Sequence, residues 1–192
     1  MHRFITLLLL LVLPLAAAAQ SLIDTPYKRH YFGRGWVDSD RDCLNTRHEL
    51  LLAKSVDTTP VLTKNHCRVL RGKWYDPFDD KTVFDASHLD IDHIIPLKWA
   101  WEHGADHWTR DQRKQFANDL RFIIAVSGSL NRSKGAKAPT EWMPPNASYH
   151  CTYVTIFYRA ILVYDFSITD AERRALKELR STSCNRDLAF NQ

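Results

Sequence analysis

Three residues of this sequence carry side chains that can together cleave a phosphate ester. Asp92 and His93 stand side by side in the segment DIDHIIP at 90–96, and Asn131 opens the segment NRSKG at 131–135. Carboxylate and amide oxygens can bind a hard divalent cation, and an imidazole with an ordinary pKa of about 6.5 can accept a proton from water. Phosphodiester cleavage requires a cation and a base of this kind. The pattern predicts that Asp92 and Asn131 bind one cation and that His93 is the general base.

Two strands and a short helix are predicted to bring these residues together. Residues 89–95 alternate apolar and polar side chains, which predicts a half-buried strand that Pro96 ends. The apolar run at 122–126 predicts the partner strand, and a short helix after it carries Asn131. Strand, long excursion, strand and helix form a ββα arrangement, with its core at about residues 89–137.

Helices are also predicted from capping residues and from apolar spacing. The segments TRHE at 46–49, TRDQ at 109–112 and TDAE at 169–172 have capping-box spacing, so a helix should begin at each. The second of these helices should run to about Asn118, and the third should end just before Cys184. A further helix is predicted from about residue 148, because its apolar residues recur on one face.

The rest of the chain predicts a β-hairpin within a single α+β domain. Strand-like runs at 67–75 and 81–84 flank a turn rich in Asp and Pro. The sequence shows no internal repeat, low-complexity tract or break in composition from residue 20 to 192, so we expect one domain there.

Residues 1–19 are typical of a secretory signal peptide. A short basic start precedes a run of apolar residues, and the alanines at 17–19 offer a cleavage site. That run is shorter than the ~20 residues of a membrane-spanning helix. We therefore expect an exported bacterial protein, periplasmic or secreted, with no membrane contact after cleavage. The net charge of +4 is a mild excess that suits nucleic acid but also suits an ordinary basic surface.

The four cysteines predict disulfides rather than a zinc cluster. Their number is even, the chain is expected to be exported, and no CxxC pair occurs. We expect the pairs Cys43–Cys67 and Cys151–Cys184, because each brackets one local unit and leaves the catalytic centre between them. In the chain-entropy model each bridge contributes roughly 3–4 kcal/mol.

The segments that contain Asp92 and Asn131 resemble motifs of the HNH, or His-Me finger, endonucleases, also called ββα-metal nucleases. DHIIP at 92–96 is similar to the strand motif of that family, and NRSKG at 131–135 is similar to its helix motif. The flanking sequence resembles small exported bacterial HNH proteins, which are related to the C-terminal domain of the GmrSD modification-dependent restriction enzymes. The resemblance covers about residues 30–184, and its flanking segments are FGRGW at 32–36, GKWYDP at 72–77, FAND at 116–119 and EWMPPN at 141–146.

The resemblance implies that His93 is the general base and that Asp92 and Asn131 are the metal ligands. Mg²⁺ is the expected ion, with Mn²⁺ or another divalent ion as an alternative. The middle Asn of the HNH name falls at Phe122 in this chain. The backbone carbonyl of Phe122 could still accept a hydrogen bond from the imidazole, and Asn118 is a second candidate for that role.

Other polar residues near the motif have less certain roles. Asp90 can support a metal ligand as a second carboxylate, or it can be a solvated residue at the strand edge. His103 and His107 have a zinc-like spacing, but a glycine lies between them and the sequence offers no third ligand.

Cationic side chains should hold the phosphates that flank the cleaved bond. We assign this role to Arg132, Lys134 and Arg47, because Arg and Lys bind phosphate oxygens. Lys134 could equally be part of a solvated helix face.

The resemblance and the residues together predict a metal-dependent hydrolase that cleaves phosphodiester bonds. One small domain without a separate recognition module suggests low sequence selectivity, with DNA favoured over RNA and a monomer expected. One alternative is a secreted nucleic-acid-binding or effector protein whose nuclease centre has decayed, as the departure at Phe122 would allow. Another is a disulfide-linked structural protein that only shares the fold.

Overall fold

The structure, a computed structural model, describes residues 25–57 and 59–190. The predicted signal peptide at residues 1–19 lies outside this part of the chain. None of the helices formed by the described residues has the length and apolar character of a membrane span.

Helices and strands are mixed along the described chain, which confirms the α+β class. The helices are α1 (Thr46–Lys54), α2 (Leu97–Glu102), α3 (Arg110–Ala117), α4 (Gly128–Lys134), α5 (His150–Tyr164) and α6 (Asp170–Phe190). The strands are β1 (Val61–Leu62), β2 (Val69–Asp76), β3 (Lys81–Asp85), β4 (Leu89–His93) and β5 (Ile123–Ser127). Short 3₁₀ helices lie at Arg29–Phe32, Ala86–His88, Ala105–His107 and Ala147–Tyr149.

Two antiparallel sheets contain these strands. The first has the order β1-β2-β3 and includes the predicted hairpin, together with the short β1, which the sequence did not predict. The second pairs β4 with β5, so that Asp92 lies opposite Ile124 and His93 lies opposite Ile123. Helix α4 follows β5 directly. Strand β4, the excursion through α2 and α3, strand β5 and helix α4 therefore have the predicted order.

The strand β4 separates two apolar clusters. Leu89 and Ile91 belong to the smaller cluster with side chains of α1, β2 and β5, and His93 lies on the same face of the strand. Asp90 and Asp92 point the other way, towards α4 and the larger cluster. The larger cluster takes most of its buried residues from α2, α3, α5 and the 3₁₀ helix Arg29–Phe32, and about half of these are aromatic.

The first helix is capped one residue earlier than predicted. Asn45 is the N-cap of α1, and its side-chain oxygen accepts a hydrogen bond from the backbone N of His48 at 3.3 Å. The Thr46 hydroxyl instead donates to the Val37 carbonyl at 2.8 Å, inside the protein. Thr46 is therefore used to fix the segment before α1 rather than to cap the helix.

The other two predicted capping boxes are confirmed. Thr109 and Gln112 exchange both hydrogen bonds of the box at the start of α3. Thr169 and Glu172 exchange the same pair of bonds at the start of α6.

Both predicted disulfides are present. Cys43 is bonded to Cys67, and Cys151 is bonded to Cys184. The prediction that the last helix ends before Cys184 is wrong, because α6 continues to Phe190. The second bridge thus joins the first turn of α5 to the interior of α6.

Candidate active site

The imidazole of His93 lies at the end of β4, with 7% of its surface exposed. Its Nε2 is 2.8 Å from the carbonyl oxygen of Ala117, the last residue of α3. A carbonyl can only accept a hydrogen bond, so Nε2 carries the proton and Nδ1 keeps a free lone pair. The ring of Trp36 stacks on the imidazole, with 5.2 Å between centroids and 14° between planes. The imidazole is therefore fixed by one hydrogen bond and one aromatic ring.

His93 is neutral at physiological pH. Burial lowers its pKa to about 3, the positive charges of Arg29 and Lys134 act in the same direction, and the hydrogen bond to Ala117 opposes them. Neutral imidazole is the form that can accept a proton.

The neighbouring Asp92 forms a buried ion pair. The Lys134 ammonium donates to Asp92 Oδ1 at 2.8 Å and to the backbone carbonyl of His93 at 2.8 Å, and the Lys134 side chain is fully buried. The second carboxylate oxygen, Asp92 Oδ2, is buried without a hydrogen-bond partner. Burial raises the pKa of Asp92 to about 6, although the nearby Lys134 charge opposes this rise. One oxygen of Asp92 is thus neutralised and the other is still available.

A second polar contact joins β4 to α4 beside this ion pair. The amide nitrogen of Asn131 donates to Asp90 Oδ2 at 3.1 Å, so its amide oxygen is the atom left for a ligand. A Cβ atom at Gly128 would lie only 3.1 Å from the same carboxylate oxygen, so Asp90 packs directly against this glycine. The spacing explains why Asn131 pairs with Asp90 while Lys134 pairs with Asp92. Residues three apart share a face of helix α4, and residues two apart share a face of strand β4.

Asp92, His93 and Asn131 line one cavity of about 450 Å³, as the sequence predicted for these three residues. Arg29 and Lys98 supply positive charge to the same cavity, and Tyr27 adds a phenol. None of these last three residues was predicted from the sequence. Arg29 and Tyr27 precede the motif by more than sixty positions in a stretch without a recognisable signal, and Lys98 reads as an ordinary residue of an amphipathic helix.

The predicted supports of the imidazole have different roles in the structure. The Phe122 carbonyl accepts a hydrogen bond from the backbone N of Ile94 at 2.9 Å, which extends the β4–β5 pairing. The Asn118 amide oxygen accepts from the backbone N of Val37 at 3.0 Å, and its nitrogen donates to the Lys114 carbonyl at 2.8 Å. Neither residue is bonded to His93. Its partner is the helix-terminal carbonyl of Ala117, a backbone group that no sequence motif indicates.

Two of the three predicted phosphate-binding residues are engaged inside the protein. Arg47 donates to the carbonyls of Ala86 and Leu89, both at 2.8 Å, and Lys134 forms the buried pair with Asp92. Both assignments to substrate are corrected, since these cations satisfy buried oxygens. Arg132 is exposed on α4 next to Asn131, and its role stays a prediction.

The histidine pair considered as a zinc site is not arranged as one. His103 is hydrogen-bonded through one ring nitrogen to the Trp99 carbonyl at 2.7 Å and contacts Glu172 at 3.1 Å through the other. His107 is exposed and lies 3.5 Å from Asp106. Both nitrogens of His103 therefore have protein partners, which link α2 to α6.

A group of three exposed carboxylates lies in the loop before α1, and none of them lines the His93 cavity. Asp38, Asp40 and Asp42 place one oxygen each within 4.8 Å of the others. Their carboxylates accept hydrogen bonds from backbone amides of the same loop, such as Cys43 N to Asp38 at 3.1 Å and Leu44 N to Asp42 at 2.7 Å. Through these bonds the carboxylates stabilise the conformation of the loop.

A buried neutral histidine, an aspartate and an asparagine therefore meet in one cavity on a strand, strand and helix unit. Residues 47–179 match the family of GmrSD restriction endonucleases, C-terminal domain. The chain belongs to this HNH-related nuclease family, as its motifs predicted, and the family indicates a nuclease-type function. A curated relative, an uncharacterized secreted protein of Arthroderma benhamiae, is 38% identical over an alignment of 182 residues, and the match covers 88% of this chain and 87% of the relative. No solved structure matches the chain.

Proposed function

We propose that this protein is an exported, metal-dependent endonuclease of the ββα-metal type that hydrolyses phosphodiester bonds. The observation that carries the proposal is the cavity in which neutral His93 lies beside the oxygen donors of Asp92 and Asn131. A base and a pair of hard oxygen ligands in one cavity suit the hydrolysis of a charged ester.

The oxygen donors fit a divalent cation. Asp92 Oδ2 is a buried carboxylate oxygen without a hydrogen-bond partner, and Asn131, whose amide nitrogen is bonded to Asp90, lines the same cavity as Asp92. Oxygen ligands of this kind suit Mg²⁺, and Mn²⁺ or another divalent ion is an alternative. When bound, such a cation stabilises the negative charge that develops on the phosphoryl and leaving oxygens.

His93 would take the proton of the attacking water on Nδ1. Its Nε2 proton is held by the Ala117 carbonyl, which also stabilises the imidazolium that forms. A substrate phosphate in the cavity raises the proton affinity of the ring, because a negative charge favours the protonated form. A positioned base contributes about 10²–10⁴-fold to the rate.

The support for export and for a nucleic-acid substrate comes from outside the cavity. The two disulfides and the secreted relative support an extracellular or periplasmic location, and the signal peptide at 1–19 would direct it there. The family supports a nucleic-acid substrate. A monomer with one domain suggests low sequence selectivity, and we favour DNA over RNA.

The test is a digestion assay with exported, disulfide-bonded protein. Plasmid DNA and a structured RNA are incubated with Mg²⁺ or with EDTA, and wild type is compared with His93→Ala. The exposed His107→Ala variant is the matched control. We expect cutting that EDTA and His93→Ala abolish and that His107→Ala preserves. Cutting that persists in EDTA, or no cutting with any divalent ion, contradicts the proposal.

One observation favours the alternative function. Phe122 occupies the position of the middle HNH asparagine, so the centre could have decayed into a binding site. Retardation of nucleic acid without cutting would support a binding or effector protein. Neither retardation nor cutting would support a structural protein.

A further inference from the structure

Arg29 is a cationic side chain at the His93 cavity, where its guanidinium contacts the phenol of Tyr27. The cavity is lined by two cationic residues, Arg29 and Lys98. Lys98 lies 3.6 Å from the carboxylate of Glu102, whereas no carboxylate in the described part of the chain forms an ion pair with Arg29. The Arg29 side chain is exposed and a guanidinium has five N–H donors, so donors remain for a ligand beside the contact with Tyr27.

The backbone that carries Arg29 is firmly attached to the protein. Tyr31 stacks on Trp101 with 4.9 Å between centroids, and the Tyr31 carbonyl accepts a hydrogen bond from Arg113 Nε at 3.1 Å. Phe32 is 2% exposed in the larger apolar cluster. The backbone at Arg29 is therefore fixed, so only the side chain has to be ordered when the guanidinium binds a ligand.

The charged residues around the His93 cavity favour a polyanion on one of its sides. Arg29 lines the same cavity as His93, so its positive charge acts where the base lies. A neighbouring cavity of about 630 Å³, which shares Lys98, is lined by the carboxylates Glu102, Glu141 and Glu172 and by Lys137. Its carboxylates outnumber its lysines, so a polyanion entering the His93 cavity is favoured on the Arg29 side.

We propose that Arg29 binds a backbone phosphate of the nucleic-acid strand whose cleaved bond lies at His93. This inference rests on the proposed function and names a contact that its site requires. A guanidinium can make two parallel hydrogen bonds to phosphate oxygens, which fixes the position of the strand as well as its charge. Arg29 thereby takes the role that Arg47 and Lys134 cannot fill.

The test measures binding separately from cutting. Arg29→Gln and Arg29→Lys are compared with wild type, and Arg110→Gln, an exposed arginine outside the cavity, is the matched control. Affinity for a fluorescent oligonucleotide is measured by anisotropy in EDTA between about 50 and 200 mM salt. Arg29→Gln should weaken binding about tenfold and reduce the slope of log affinity against log salt by about 0.7–0.9. Arg29→Lys should keep the slope, and Arg110→Gln should match wild type.

Each other outcome decides the inference. Wild-type affinity and slope in Arg29→Gln would overturn it, and if wild type still cuts DNA in Mg²⁺ the proposed function would stand. A lost slope in Arg29→Gln with no cutting by wild type would support the inference and reject the nuclease function. Equal loss in Arg29→Gln and Arg29→Lys with a lower unfolding temperature would assign Arg29 a structural role and overturn the inference. A wild-type protein that binds no oligonucleotide would overturn the inference, and one that also cuts no nucleic acid would overturn the proposed function as well.

Discussion

The two faces of strand β4 hold their polar side chains in different ways. On the face towards α4, Asp90 and Asp92 are bonded to Asn131 and Lys134, so charged and amide groups join strand to helix. On the opposite face, His93 is neutral and is held by the Trp36 ring and a backbone carbonyl.

Because of this difference, one face of β4 contributes mainly to folding stability and the other mainly to activity. The α4 face contains a fully buried ammonium whose charge depends on one carboxylate, so loss of either partner leaves an unpaired buried charge. The His93 face contains no charge that needs compensation, since the imidazole is neutral. Substitutions on the α4 face should therefore reduce folding stability most, and those on the His93 face should reduce activity most.

The largest expected effect is on the His93 face. His93→Ala should lower the cleavage rate by about 10²–10⁴-fold, because the general base is lost. Oligonucleotide affinity in EDTA should stay near the wild-type value, since His93 makes no proposed phosphate contact. Rates come from initial cleavage of plasmid under saturating Mg²⁺. A variant that cuts as fast as wild type would remove His93 from the mechanism.

The matching change on the α4 face is Lys134→Met. It should lower the free energy of unfolding by about 3–5 kcal/mol, because Asp92 is then buried without its partner. Urea denaturation of the oxidised protein in EDTA gives this quantity. The double variant Asp92→Asn with Lys134→Met should recover much of the loss. A loss below about 1 kcal/mol in Lys134→Met would show that the pair is not closed in solution.

A smaller effect is expected where the α4 face supports the metal ligand. Asp90→Ala removes the acceptor of the Asn131 amide, so that amide is free to rotate. The divalent-ion concentration for half-maximal cutting should rise about 10–100-fold, as for other losses of a ligand's support. The exposed Asp111→Ala on α3 is a control, and it should keep the wild-type requirement. An unchanged requirement in Asp90→Ala would place the cation away from Asn131.

The smallest effect concerns acid stability. The pKa of His93 is lowered to about 3, so as the pH falls below its ordinary value of about 6.5 the unfolded chain binds a proton that the folded protein does not. The stability that His93 contributes is present above about pH 6.5 and is lost towards pH 3. The raised pKa of Asp92, about 6, acts in the opposite direction and offsets part of this loss.

The variant His93→Gln isolates this contribution. Between pH 7 and 4 it should lose less unfolding free energy than wild type, because the proton uptake of the unfolded histidine is absent. Urea denaturation at several pH values in EDTA measures the difference. If the unfolding free energies of the two proteins fall in parallel as the pH is lowered, the lowered pKa of His93 is contradicted.

The sequence predicts well what depends on local pattern. The alternation before Pro96, the apolar run at 122–126 and the spacing of Asn131 predict the order of β4, β5 and α4. The cysteine pairs were predictable because each closes a local unit. The meeting of the motif residues in one cavity can therefore be predicted without knowledge of the rest of the fold.

Contacts between distant segments could not be predicted in the same way. Lys134 reads as a surface residue at the end of a polar helix, and only the packing of α4 on β4 buries it against Asp92. The partners of His93 come from Trp36 and Ala117, which belong to segments whose docking no local pattern encodes. Arg29 reaches the cavity because the 3₁₀ helix that carries it packs on α2 and α3.

Gly128 shows that a mutational scan of this site can detect positions that carry no reactive group. The residue has no reactive atom, yet any side chain there would meet the Asp90 carboxylate at 3.1 Å and the Arg132 guanidinium at 3.0 Å. A side chain at this position should therefore act by displacing Asp90 and weakening its bond to Asn131, while all the reactive groups stay in place. A search for active relatives should include residue 128 as well as the reactive residues, because a change there alters the support of Asn131 and not Asn131 itself.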